Sequence, residues 1–206
     1  VFASSALGVS AFGVSAFVLK YRLGPRYHHP AELDDARRGI TMIRTRAKEL
    51  GVDPGKIGVM GFSAGGHLAS SLSTHFQEGE RPDFAILVYP VISFTTRYTH
   101  SGSMFNLLGN PPDPTEVWNL SSELQVTSQT PPTFLFHTSG DTTVPAENSI
   151  LYYMALRSAG VPAELHIYQN GPHGVGLAQK DPVLSSWPGR LKDWMAVRGL
   201  IPATVR

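Results

Sequence analysis

Residues 56–76 read KIGVMGFSAGGHLASSLSTHF, and the fold is decided there. The first seven residues form a short apolar run of strand character. The rest reads as a helix with Leu68, Leu72 and Phe76 on one face. At the junction stands Gly61-Phe62-Ser63-Ala64-Gly65, a G-x-S-x-G pattern. Five residues of this kind are weak evidence alone, but between a strand and a helix they describe a nucleophile elbow. The tight turn lifts the serine hydroxyl clear of the backbone. Gly61 and Gly65 are expected to remove side chains that would collide where strand and helix approach. The helix N-terminus points its amides at the place where negative charge develops.

Strand and helix patterns alternate on either side of this junction. Ala16–Leu23 (AFVLKYRL) reads as a first, buried strand. Ala31–Leu50 reads as a helix, with Leu33, Ala36, Ile40, Ile43, Ala47 and Leu50 three and four apart and Gly51 at its end. Phe84–Tyr89, Thr133–His137 and Ala163–Tyr168 read as further strands. Pro145–Ala159 and Pro188–Arg198 read as helices, the first closed by Gly160 and the second opened by a proline. This β-α alternation predicts a parallel sheet with helices on both faces and right-handed crossovers. Residues 91–131 interrupt the rhythm with four prolines and many Ser and Thr. A long insertion in a compact domain is usually functional, so it is expected to act as a cap or substrate-facing loop.

A serine hydroxyl needs a base, and the base needs an orienting acid. Asp141 follows the Thr133–His137 strand in Thr138-Ser139-Gly140-Asp141, at the same sheet edge as Ser63. It could also cap the helix that starts near Pro145. Of eight histidines, His67, His137 and His166 lie in helix or strand runs and read as structural. His28, His29, His75 and His100 flank helices or lie in loops. His173 differs: it sits in Asn170-Gly171-Pro172-His173-Gly174, just past the last strand, between glycines that let its ring turn inward. The order Ser63, Asp141, His173 has spacings of 78 and 32 residues. Those spacings leave room for the insertion and for one helix–strand unit.

Composition narrows the alternatives. The chain has 206 residues, which favours a single domain over 1–206. Hydrophobic residues make up 42% and charged residues 16%, a globular balance. The net charge is +1 with no basic stripe, which argues against nucleic acid. With no cysteine there is no disulfide, thiolate nucleophile or Cys-ligated metal. No ligand cluster suggests a metal or other cofactor. Residues 1–19 are uncharged and just long enough to span a bilayer, but they lack the positive start of a signal peptide. They are Gly- and Ser-rich and contain GVSAF twice, so residues 1–13 read as a short lead-in to the first strand, without a membrane role. The sequence does not fix the compartment.

GFSAGGHLA, HTSGDTTVP and GPHGVGL, with AFVLKYRLGPRYHHP upstream, together resemble the α/β-hydrolase serine esterases related to acetyl xylan esterases. The resemblance covers roughly residues 14–201. It implies hydrolysis of short acyl esters, plausibly acetyl groups on carbohydrates, without metal or cofactor. Carried over by position, Ser63 is the nucleophile, His173 the base and then acid, and Asp141 the residue that orients the imidazole. The Ala64 N–H is one oxyanion donor. Tyr27, His28 and His29 follow the first strand at the same edge and are candidate pocket lining, with helix entry as their plainer role. The family's Gly-rich loop, source of the second oxyanion donor, has no counterpart before Ser63. The expectation is therefore an N-terminally truncated hydrolase, weakened in turnover unless another amide substitutes. An exposed N-terminal edge further suggests a homodimer. A serine peptidase of the prolyl-oligopeptidase type and a non-catalytic hydrolase-fold binding module remain the alternatives.

Overall fold

The computed structural model describes residues 12–202. They fall into two compact units: residues 21–174, and a unit drawn from both ends, up to Lys20 and from Val175 onward.

In the larger unit, four strands form one parallel sheet in the order β1 (Val59–Phe62), β2 (Ala85–Val88), β3 (Thr133–Thr138) and β4 (Ala163–Tyr168). The register runs Gly61 beside Leu87, Leu87 beside Leu135 and Leu135 beside Leu165. β2 and β3 are buried along their whole length, which is why they read as continuous apolar runs. The flanking helices follow the expected pattern. α1 (Ala31–Thr45) and α2 (Ala47–Leu50) come first, then α3 (Ala64–Thr74). Leu33, Ala36 and Ile40 of α1 pack on Leu68 and Leu72 of α3. Ala69 of α3 shares a second core with Ala85, Leu87 and Leu135 of the sheet and with Tyr152 and Leu156 of α6 (Glu147–Ser158).

Three expectations are corrected. The run Ala16–Leu23 forms no strand: no ladder pairs with it among the described residues, and Phe17 and Val18 are 49% and 66% exposed. Apolar β-formers make a strand only where a neighbour takes their backbone groups. Here the Arg22 amide and guanidinium both bond the Asp35 carboxylate of α1, at 2.9 Å each, and fix the segment by a side chain instead. The helix read as Ala31–Leu50 breaks at Arg46. There Thr45 Oγ1 donates back to the Thr41 carbonyl, a bond that loosens helices locally. Residues 91–131 are not a plain loop. They contain α4 (Ser101–Leu108), α5 (Pro114–Asn119) and a 3₁₀ turn at Ser122–Leu124.

The insertion is firmly seated. Val91, Phe94 and Leu120 form a core with Val144, joined by Met104 and Leu107 of α4 and Val117 of α5. Buried Asn148 accepts from the amides of Ile92 and Ser93 at 3.0 Å and donates to the Tyr98 carbonyl. His67 Nε2–H donates to the Leu120 carbonyl at 2.7 Å, and its ring stacks on Phe94.

In the smaller unit, a 3₁₀ turn at Leu184–Ser186 leads into α7 (Trp187–Val197), within a residue of the sequence reading. Trp187, Leu191, Trp194 and Met195 are buried, and the Trp187 indole donates to the Gly176 carbonyl at 3.0 Å. Among the described residues no helix is long and apolar enough to cross a membrane.

Candidate active site

In a parallel sheet all strands end at one edge, and the candidate residues follow those ends. Ser63 follows β1, Asp141 lies past β3 and His173 lies past β4.

The elbow has the strain its sequence implied. Ser63 holds φ +53° and ψ −122°, a region L-residues avoid. Its carbonyl accepts from the amides of Gly66, His67 and Val91 at 2.9, 3.2 and 3.1 Å, and its own amide donates to the Val88 carbonyl. A Cβ on Gly61 would lie 2.0 Å from the Gly65 carbonyl oxygen, so Gly61 is required by close approach. The same reading fails for Gly65, where an added Cβ meets nothing nearer than the Tyr21 hydroxyl at 3.8 Å. The second obligatory glycine is Gly66, whose Cβ would fall 2.7 Å from Pro90. Ala64 opens α3, and the first helical bonds are donated by Gly66 and His67, so the Ala64 amide stands at the free N-terminal end of the helix.

Ser63, His173 and Asp141 form one hydrogen-bonded chain. His173 Nδ1–H donates to Asp141 Oδ2 at 2.6 Å, and Ser63 Oγ lies 2.7 Å from His173 Nε2. The carboxylate can only accept, so it fixes the proton on Nδ1 and leaves the Nε2 lone pair facing the serine hydroxyl. The acid and base loops are locked together. Thr138 Oγ1 donates to the Gly171 carbonyl at 2.8 Å, and a Cβ on Gly140 would lie 2.9 Å from that same oxygen.

Asp141 is buried, and its carboxylate is fully occupied. Oδ1 accepts from the amides of Thr143 and Val144 at 3.0 and 2.9 Å. Burial alone would push its pKa up. Bonds from His137, the Val144 amide and His173 outweigh that and bring it down to about 2, so the group is anionic at neutral pH. Asp141 does not cap α6, whose N-cap Ala146 has no side-chain cap bond: Oδ1 closes the turn at Thr143 and Val144, while Oδ2 serves His173.

Tyr27, His28 and His29 lie in a segment held by α1 and α4. His28 Nδ1–H donates to the Asn106 carbonyl, His29 bonds Glu32 at 2.9 Å, and the His29 amide donates to the Leu107 carbonyl. The guanidiniums of Arg22 and Arg26 lie 5.8 and 5.3 Å from the Tyr27 ring centroid. These contacts match the plainer role of helix entry.

Two neighbours were missed. Tyr89, directly after β2, adopts φ +38°, and its ring meets the His173 ring edge-on at 5.2 Å. The Tyr-Pro pair ending an apolar strand was the only sequence signal for it. His137 is fully buried in β3, with Nε2 3.4 Å from Asp141 Oδ2. It stands four residues before Asp141 in the sequence. Among the described residues no group of three or more His, Asp and Glu could hold a metal ion.

Comparison with known proteins agrees with this geometry. A family model described as alpha/beta hydrolase fold matches residues 6–177. An acetylxylan esterase of Xylanibacter ruminicola is 40% identical over 169 residues, covering 80% of this chain and 35% of that protein. An endo-1,4-β-xylanase B of Butyrivibrio fibrisolvens is 39% identical over 191 residues, covering 86% of this chain and 30% of that protein. The chain thus spans about a third of the length of these two relatives. The crystal structure of an acetyl ester-xyloside bifunctional hydrolase from Caldicellulosiruptor lactoaceticus superposes with a TM-score of 0.92 at 48% identity, over 96% of this chain and 76% of that one. With a strained serine at the strand–helix junction, a histidine and a buried carboxylate at one sheet edge, and these matches, the chain belongs to the α/β hydrolase fold family.

Proposed function

We propose that this chain is a serine esterase acting on short acyl esters, with acetyl groups on carbohydrate as its substrate class. One observation carries the reading: the unbroken chain Ser63–His173–Asp141 at the sheet edge, with the serine on an elbow at a helix N-terminus. The likeness to an acetylxylan esterase and to an acetyl ester-xyloside hydrolase supports the substrate class.

In this reading His173 Nε2 takes the Ser63 proton as Oγ attacks the acyl carbon. The imidazolium is stabilised by Asp141, which stays ionised. The Ala64 amide donates to the developing oxyanion. His173 then passes its proton to the departing alcohol, leaving an acyl-Ser63 ester. Water, deprotonated by the same nitrogen, releases the acid and restores the serine. In this reading residues 91–131, rooted directly after β2, act as the substrate-facing insertion.

The test is a substrate panel: p-nitrophenyl acetate, butyrate and octanoate, a prolyl amide, and acetylated xylan. Acetate release from the first and last, abolished by Ser63→Ala with the fold intact, is expected. Hydrolysis of the amide in preference to the esters would favour a peptidase. No turnover by a folded chain that also resists a fluorophosphonate probe would reduce it to a binding module.

A further inference from the structure

We propose that His137 is a positioning residue that sets the basicity of His173 through their shared partner, Asp141. Two imidazoles converge on one carboxylate oxygen: Asp141 Oδ2 lies 2.6 Å from His173 Nδ1 and 3.4 Å from His137 Nε2. The side chains of His137 and Asp141 are both fully buried. An unmatched polar group there would be costly.

The tautomer of His137 is fixed from both ends. Its Nε2 lies 2.8 Å from the Val144 carbonyl oxygen, which only accepts, and faces a carboxylate, which also only accepts. The proton therefore sits on Nε2. Nδ1 is left as an acceptor for the Ser149 hydroxyl of α6 at 2.7 Å. Ser149 thus orients His137, which divides its one N–H between Val144 and Asp141. The second arm is long and weak, but it points at the oxygen that serves the base.

The consequence is a sign. A donor on Oδ2 draws off part of the negative charge that stabilises His173 as imidazolium. His137 therefore holds the basicity of His173 below what Asp141 alone would give. The charged and titratable groups facing the pair are Asp141 and His173. Ser149 and the Val144 carbonyl are the neutral partners of His137, and Ser63 and the Tyr89 ring are those of His173. Without the His137 donor, Asp141 becomes a stronger acceptor and His173 holds its proton to higher pH. The acid limb of kcat/KM then moves upward.

This inference rests on the esterase reading, so the test has one arm that needs no turnover. In the wild type, nitrogen-15 NMR should show the His137 ring proton on Nε2, with Nδ1 accepting. The Nδ1–H tautomer, or a doubly protonated ring, overturns the proposal even if the protein is no esterase. The second arm compares His137→Leu with His137→Gln, whose amide can replace the Nε2–H donor, using p-nitrophenyl acetate. For the leucine variant, we expect the acid limb to rise by about half to one pH unit. The glutamine variant should restore most of the limb position. A limb that stays put in His137→Leu, moves down, or moves equally in both variants would mean that His137 only packs.

Discussion

Gly61 and Gly65 occupy the two glycine positions of one motif, yet the structure assigns them opposite sensitivities. In Gly61→Ala the new methyl would stand 2.0 Å from the Gly65 carbonyl oxygen and 2.5 Å from its carbon, both backbone atoms that cannot rotate away. Comfortable contact is about 3.5 Å, so β1 and the first turn of α3 must separate by roughly 1.5 Å. Ser63 lies between them and would move with them, while its bond to His173 Nε2 is only 2.7 Å long. A misplacement of about 1 Å costs on the order of 10²-fold in rate, and overpacking costs about 1–3 kcal/mol in stability. In Gly65→Ala the methyl points at the Tyr21 hydroxyl, 3.8 Å away. Alanine also suits a helix better than glycine by about 0.5–1 kcal/mol. We therefore expect Gly61→Ala to lose about a hundredfold in kcat on p-nitrophenyl acetate, to label slowly with a fluorophosphonate and to melt earlier. Gly65→Ala should keep kcat within about threefold and melt no earlier, a much smaller effect than that ångström-scale displacement. Equal losses in the two folded variants, or a fully active Gly61→Ala, would refute the close-approach argument.

Three further outcomes follow from the same geometry. Asp141→Asn should lower kcat by about 10⁴-fold with little change in KM, because the amide favours the wrong imidazole tautomer; steady-state kinetics on the folded variant decides it. Tyr89→Ala removes the aromatic edge against His173 and should cost roughly tenfold in kcat, the rate equivalent of about 1.5 kcal/mol for such a pair; unchanged kcat would make the contact incidental. His67 is buried on α3, and that burial holds its pKa down to about 4 against an ordinary 6.5. The stability gained by keeping it neutral is complete above pH 6.5 and is lost as pH falls from there towards 4, by about 3 kcal/mol in all. Urea midpoints at pH 7.5, 5.5 and 4.5 should fall less steeply for His67→Gln, which keeps a donor for the Leu120 carbonyl without titrating. Asp141 acts in a lower window, below pH 4, and does not confuse the comparison.

How much was legible depended on whether a residue's partner was close in sequence or far away. The elbow was legible because strand, turn and helix are contiguous, and each leaves a period or a glycine behind. The three candidate site residues were legible because each follows a strand that ends at a common edge. The strand expected at Ala16–Leu23 failed because composition reports β-propensity, not the presence of a ladder partner. The helices of the insertion were missed because eight and six residues are too few to show a period. Asp113-Pro114 did carry a start signal: Asp113 caps the Thr115 amide at 2.7 Å, with proline in the first turn. Gly66 looked like an ordinary helical residue, because its constraint is Pro90, 24 positions away.

That distant constraint shows what holds the serine in place. A backbone at φ +53° persists only if its surroundings over-determine it. Ser63 is gripped by β2 through its amide and by the Val91 amide through its carbonyl. Tyr89, itself at positive φ, and Pro90, pressed on Gly66, deliver Val91 to that position. Asn148 then catches the next two amides, Ile92 and Ser93, and ties them to the start of α6. Residues 89–93 are thus at once the root of the insertion and the brace of the elbow. The insertion and the geometry of Ser63 share one short backbone segment, so changes that remodel the insertion at its root must also be felt at Ser63.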